Sequence, residues 1–326
     1  EPRIDFKDDA KGALLLEPTR SNLITYSEDF TTWSRSGWTL TSGLLSPNGG
    51  LDAYSVLRTT GSTFAQSLTL SANTTYTFTS YIKNVNATNI QLRVQNQAGN
   101  TSGTESNCIV FSVTDQTNDS DFTRITHTFN TGDAGSYGLF LGYYSAGEYI
   151  VWGAQLEQGS YATSYIPNFG NSAGATRSAD VCNNGGNEQV INSSEGVLYA
   201  EISALSDDST NRYISLSDGS TSNRVNIFFD SNNKLRGFYN GLSGSITIST
   251  NITLTNKIAF KYKSGDSSFW LNGFEVATRT DALSLSGLDS LSFDLGGGSD
   301  FYGNVKDVRV YNTALTDSEL QALTKI

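Results

Sequence analysis

The 326-residue sequence has no methionine, one histidine, two cysteines and four prolines. Each shortage closes off some chemistry. With His127 alone, an HExxH metal motif is impossible, and any Ser-His-Asp relay would have to be built on that one residue. Cys108 and Cys182 lie far apart without metal-ligand spacing, so the chain is neither a disulfide scaffold nor a zinc site. Pairing of the two with each other, or two semi-buried thiols, both remain open. No apolar run approaches the roughly 20 residues of a membrane span, so no membrane insertion is expected. Methionine is missing even at position 1, which gives the expectation of a mature or excised fragment. Cationic residues are in deficit: 21 Lys and Arg face 32 Asp and Glu, for a net charge of −11. A field of that sign repels phosphate backbones and anionic lipid, so nucleic acid is not an expected partner.

What the chain does have is aromatic and Thr-rich strand sequence, with 16 Tyr, 17 Phe and 4 Trp. Such residues, separated by Gly/Asn/Asp/Ser clusters, predict an all-β protein. Tyr76–Lys83 alternates, with Tyr76, Phe78 and Ile82 on one face and Thr77, Thr79, Tyr81 and Lys83 on the other. Ile90–Gln95 does the same, setting Ile90, Leu92 and Val94 against Gln91, Arg93 and Gln95. Period-two alternation means one face is core and the other is open. Further strands are expected at 109–113, 123–129, 137–144 and 149–156. Trp33 and Trp38 fall in a Ser/Thr/Gly-rich stretch read as a loop.

The length predicts two domains. Residues 168–195, rich in Gly, Asn and Ser, read as a linker between a first domain over 1–167 and a second over 196–326. The second half repeats the strand pattern from Val197 to Tyr311, punctuated by Asp218-Gly219, Asn240-Gly241 and Asn272-Gly273. Thr316-Asp-Ser-Glu319 is a capping box, with Leu315 and Leu320 as a hydrophobic staple, and it predicts a short C-terminal helix. The expected architecture is therefore two β-sandwich (jelly-roll) domains with that helix at the end.

Two sequence blocks in the second half carry a resemblance. Phe269-Trp-Leu-Asn-Gly-Phe-Glu-Val276 and Phe301-Tyr-Gly-Asn-Val-Lys-Asp-Val-Arg-Val-Tyr-Asn312, followed by Ala314-Leu315 and the capped helix, resemble laminin-G/concanavalin-like domains over about residues 195–326. The first half resembles jelly-roll carbohydrate-binding modules of the family-4/9 type. There the carriers are Tyr26–Phe30, Trp33, Trp38, Thr75–Lys83, Phe122–Phe129 and Trp152–Glu157. Pro2–Asp5, Leu14–Pro18, Asn22-Leu23, Gly153–Glu157 and Ala162–Pro167 resemble a stretch recurring in phage virion and tail-associated proteins. The resemblances imply glycan recognition, an extracellular or virion setting, other virion proteins as neighbours, and structural Ca²⁺. The oxygen donors for such an ion would be Asp29 and Glu157 in the first domain and Asp294, Asp300 and Asp307 in the second, although no EF-hand loop is present.

Glycan binding on a sandwich needs aromatic faces for stacking and planar polar groups for paired hydrogen bonds. The proposed sugar residues are Trp33, Tyr81, Lys83, Gln91, Arg93, Gln95, Tyr144 and Gln155. Trp270 is read as either a further platform or packing beneath a loop, Trp38 as a plug at one end of the sandwich, and Trp152 as a core residue. The leading expectation is a non-catalytic protein that binds polysaccharide or a host-surface glycan. The first alternative is a purely structural virion component. The second is a polysaccharide lyase or hydrolase, for which His127, Tyr81 and Arg93 are the suspects. Asp207-Asp208, being adjacent on a strand, point opposite ways and do not form a glycosidase pair.

Overall fold

The computed structural model describes residues 3–6, 10–96, 108–296 and 298–326. Strands dominate it, as the alternation predicts, and the chain divides into two units: residues 1–18 with 179–326, and residues 19–178. The first unit is thus split in sequence, and the second is an insertion within it. The expected boundary at 167 is displaced by eleven residues, and the first 18 residues change domain. The reason is pairing. Ala13–Leu16 adds antiparallel to Gly303–Tyr311, with Leu14 opposite Val305, and Arg3–Asp5 adds to Ala13–Leu16. An ion cluster fixes the same junction. Arg3 Nη2 lies 2.7 Å from Glu17 Oε2 and 2.5 Å from Asp180 Oδ2, and the Glu17 backbone N–H donates to the same Asp180 oxygen at 2.9 Å.

In the split unit, two sheets face one another. The larger runs Arg3–Asp5, Ala13–Leu16, Gly303–Tyr311, Glu195–Ala204, Asn256–Lys263, Ser267–Leu271, Phe274–Arg279. The smaller runs Ile246–Ile248, Leu235–Tyr239, Arg224–Phe229, Arg212–Ser217, Ser290–Ser292. Leu198, Ala200, Ile258, Phe260 and Phe269 from the first meet Ile214, Leu216, Val225, Ile227 and Phe229 from the second in one core. Gly237 belongs to that inner row, and a Cβ there would stand 2.6 Å from the Phe269 ring, so glycine makes room for the aromatic. The helix Asp317–Thr324 begins at the predicted capping box, with Thr316 accepting from Glu319 N–H and the Glu319 carboxylate accepting from Thr316 N–H. Its Leu320 packs with Val197, Tyr199, Ala259 and Trp270 on the outer face of the larger sheet. Trp270 is 6% exposed and serves as the seat of the helix, so of its two readings it is packing, beneath a helix, and not a sugar platform.

The inserted unit holds an eight-stranded sheet in the order Cys108–Ser112, Gln91–Asn96, Gly135–Gly142, Ala53–Leu70, Glu148–Gln158, Thr75–Asn84, Thr123–Asn130, with Ser34–Leu44 paired along Ala53–Leu70. The 18-residue strand Ala53–Leu70 pairs through its first part with Glu148–Gln158 and through its second with Gly135–Gly142. Ser34–Leu44, expected as a loop, is a strand, and it buries Trp38 against Phe64 and Tyr149. Gly142 admits the indole, since a Cβ there would lie 2.4 Å from the ring. The chain enters and leaves this unit through an antiparallel pair, Arg20–Asn22 with Ala175–Arg177. The Cys108 side chain lies outside the described residues, and Cys182 is a half-buried free thiol whose pKa is raised by burial. Among the described residues no helix is long and apolar enough to cross a membrane.

Asp180→Ala removes the acceptor for both Arg3 and the Glu17 backbone N–H and leaves Glu17 buried beside a weakened cluster. Because Arg3 is partly exposed, the expected loss is about 2–3 kcal/mol. It should appear as a lowered denaturant midpoint, with a far smaller effect from cutting the exposed Lys263–Glu195 pair.

Candidate functional site

The expected cleft of the inserted unit is divided by the fold. Tyr81 and Lys83 lie on Thr75–Asn84, whereas Gln91, Arg93 and Gln95 lie on Gln91–Asn96, with three strands between them in the sheet. The face around Tyr81 is also covered. Thr77 Oγ1 donates to Gly159 O at 2.9 Å, Arg124 reaches Thr163 O at 2.6 Å, and Tyr165 and Trp152 pack on Tyr81 with ring centres 6.2 and 5.3 Å away. Trp152 is buried in this outer aromatic group. Trp33 is 3% exposed, packs on Phe30 and Phe64, and donates its indole N–H to Tyr26 O, so it is core and presents no ring to a ligand.

Gln155 is likewise unavailable. It is fully buried, donating to Glu157 Oε1 at 2.8 Å and accepting from Ile166 N–H at 2.7 Å. The fold does bring Gln91, Arg93 and Gln95 onto one half-buried face. The Arg93 guanidinium lies 4.4 Å from the Tyr143 ring centre and 5.3 Å from that of Phe140. Tyr144, 51% exposed and with φ +51°, adjoins through Tyr143 and carries Arg58 over its ring at 4.9 Å.

The expected calcium donors do not converge. Asp29 caps a short turn by accepting from Thr31 N–H, and Glu157 accepts from both the backbone and the hydroxyl of Thr163. Asp294 accepts from Asn183 and Gly296, Asp300 from Tyr302, and Asp307 pairs with Arg309. Each carboxylate is engaged by its own neighbours, so these residues do not fit a calcium site. Among the described residues no group of three or more acidic, His or Cys side chains is arranged to hold a metal. His127 is half-buried and stacked on Phe129, and burial lowers its pKa, which keeps it neutral near pH 7.

The best-formed site lies in the split unit, on the outer face of its five-stranded sheet. On Arg224–Phe229, Val225, Ile227 and Phe229 point into the core, so Arg224, Asn226 and Phe228 point outward. Register aligns Tyr213, Phe228 and Arg236 in one row and Ser215, Asn226 and Phe238 in the next. Tyr213 and Phe228 stack at 4.3 Å and 15°, the Arg236 guanidinium lies over Phe228 at 5.7 Å, and that of Arg224 lies over Phe238 at 4.9 Å. Together they line a groove of about 380 Å³.

At the groove's centre Asn226 is 1% exposed, and both its amide nitrogen and its amide oxygen lack any hydrogen-bond partner. Its strand neighbour Ser215 donates to Asp294 O at 2.6 Å. The groove's one acidic lining residue, Asp230, accepts from Asn232 and Lys234 N–H and pairs with Arg236 at 3.2 Å. Burial pushes the Tyr213 hydroxyl pKa up, partly offset by the two arginines, which keeps it protonated as a donor. A larger recess of about 530 Å³ around Asn184–Gln189 and Asp289 has no aromatic lining.

Residues 187–321, which contain this groove, match the family model described as the Concanavalin A-like lectin/glucanases superfamily. Several solved structures are similar to the chain. The CBM40 of Ruminococcus gnavus IT-sialidase bound to α2,3-sialyllactose aligns with TM-score 0.37 and 15% identity, covering 45% of this chain and 95% of that one. Leech intramolecular trans-sialidase aligns with TM-score 0.35 and 16% identity, over 45% of this chain and 27% of that one. The binding domain of botulinum neurotoxin serotype G aligns with TM-score 0.31 and 12% identity, over 44% and 37%. A search of curated proteins finds no match.

The groove was not among the expected sites. Its signal was present in the alternation Arg224-Val-Asn-Ile-Phe-Phe229 and in Leu235-Arg-Gly-Phe-Tyr239, whose outward rows carry two Arg, one Asn and two Phe. An enclosed amide with no partner costs about 1–3 kcal/mol. Asn226→Val, an apolar strand-forming residue nearer to it in size, should therefore stabilise the fold by up to about that amount and raise the unfolding midpoint in a thermal or denaturant scan, and an unchanged or lower midpoint would show that the amide is satisfied.

Proposed function

We propose that the chain is a non-catalytic glycan-binding protein and that the groove on the five-stranded sheet is its sugar site. The observation that carries this is the unpartnered Asn226 amide, enclosed between two arginine–aromatic pairs. Sugar hydroxyls supply the donor and acceptor the amide lacks, and the Phe228, Phe238 and Tyr213 rings suit the apolar face of a pyranose. Most glycoside hydrolases use two carboxyl groups across the bond. The groove's lining offers Asp230, already engaged by a turn and by Arg236, which favours binding over cleavage.

The face bearing Gln91, Arg93, Gln95, Tyr143 and Tyr144 in the inserted unit is proposed as a second, weaker contact for the same polymer. Two weak sites on one chain gain through avidity. Such a protein works where polysaccharide is met, outside a cell or on a virion.

A glycan array followed by titration calorimetry tests this reading. Asn226→Ala and Phe238→Ala should each weaken binding about tenfold or more while the far-ultraviolet spectrum is unchanged. Arg93→Ala should reduce retention on immobilised polymer but not the affinity for a short oligosaccharide. Wild-type protein that binds no glycan would favour the structural-component reading instead, and new reducing ends or 235-nm absorbance on a polysaccharide panel would favour an enzyme.

A further inference from the structure

The charges along the groove are not balanced. Arg236 has its counter-ion in Asp230 at 3.2 Å. Arg224, half-buried on the same face, has no ion-pair partner among the described residues. Its Nε is enclosed without a hydrogen-bond partner, and its planar group rests on the Phe238 ring. Burial lowers its pKa, with Tyr213 as the nearby polar group that opposes the shift. A guanidinium withdrawn from water is costly unless paired, and the planar fork of Arg suits a carboxylate or sulfate. Two residues along the same strand face, the Asn226 amide offers an unused donor and acceptor.

We propose that the groove selects a sugar carrying an acidic group, whose anionic oxygens bind Arg224 while a neighbouring hydroxyl or amide of the ligand pairs with Asn226. This rests on the glycan reading above and narrows it to a ligand class.

Overall charge adds a second constraint. The chain carries a net −11, so a polyanion entering the groove meets repulsion along its length while one acidic group is matched. The favoured ligand is therefore a single acidic sugar on an otherwise neutral oligosaccharide, rather than a polymer acidic at every residue. Raising salt should weaken the matched contact and relieve the polyanion repulsion, so the two ligand types should converge as ionic strength rises.

The test is an array and calorimetry series in which each acidic oligosaccharide stands beside its carboxyl-reduced or desulfated counterpart. The two kinds of pair separate a carboxylate from a sulfate as the recognised group. At least one acidic member should bind about tenfold or more tightly than its neutral partner. Arg224→Gln should erase that preference. The paired replacement of Arg236→Gln with Asp230→Asn, which removes the cation and its counter-ion together, should weaken both members of the pair and keep their ratio, and thermal unfolding of each variant checks that it is folded.

Equal binding within every pair, or a preference that survives in Arg224→Gln, overturns the acidic-sugar proposal and leaves the glycan reading standing. Tighter binding to fully acidic polymers than to singly charged oligosaccharides overturns the single-acid form. Absence of binding to every glycan overturns both readings together.

Discussion

A β-strand that buries one row of side chains must turn the alternate row the other way, and both sandwiches rest on that constraint. In the split unit, desolvation of Val225, Ile227 and Phe229 against the facing sheet fixes where Arg224, Asn226 and Phe228 stand. Pairing with Arg212–Ser217 and Leu235–Tyr239 then sets Tyr213 and Arg236 beside Phe228, and Phe238 beside Asn226. The groove is thus a consequence of core burial: its chemistry sits on the row the core does not use.

What distinguishes one outward face from another is the chain that folds over it. The larger sheet of the split unit seats the C-terminal helix on Trp270 and Tyr199. In the inserted unit the segment from Gly159 to Ile166 returns over Thr77, Thr79 and Tyr81, held by Arg124 and by the Glu157–Thr163 hydrogen bonds. The five-stranded sheet keeps its outward row partly open around the enclosed Asn226, with rings, amide and guanidinium gathered on one face. An enclosed amide without a partner and a half-buried cation without a counter-ion both conflict with the usual satisfaction of buried polar groups. Such local conflicts are expected at functional sites, and the sugar site is proposed on that ground.

The split of the first unit has a similar local origin. Ala13–Leu16 is an apolar segment that must find a sheet edge, and Gly303–Tyr311 offers one, while Glu17 and Asp180 lock the two crossing segments around Arg3. Nothing in the order of residues separates an edge strand of one sandwich from that of another, so residues 1–18 read naturally as part of the sandwich that comes next in the chain.

By itself the sequence determined the fold class, most strand positions and the helix start, because alternation and capping are local properties of consecutive residues. Tyr76–Lys83, Leu235–Tyr239 and Thr316–Glu319 each carried their structure in their own spacing. It also determined that Arg224, Asn226 and Phe228 share one face. Tertiary structure alone decided which faces are covered, which domain owns the first strands, and that Trp33 and Gln155 are interior while Asn226 is left without a partner. Those outcomes depend on contacts between residues distant in sequence, and a period of two specifies a direction without specifying what waits there.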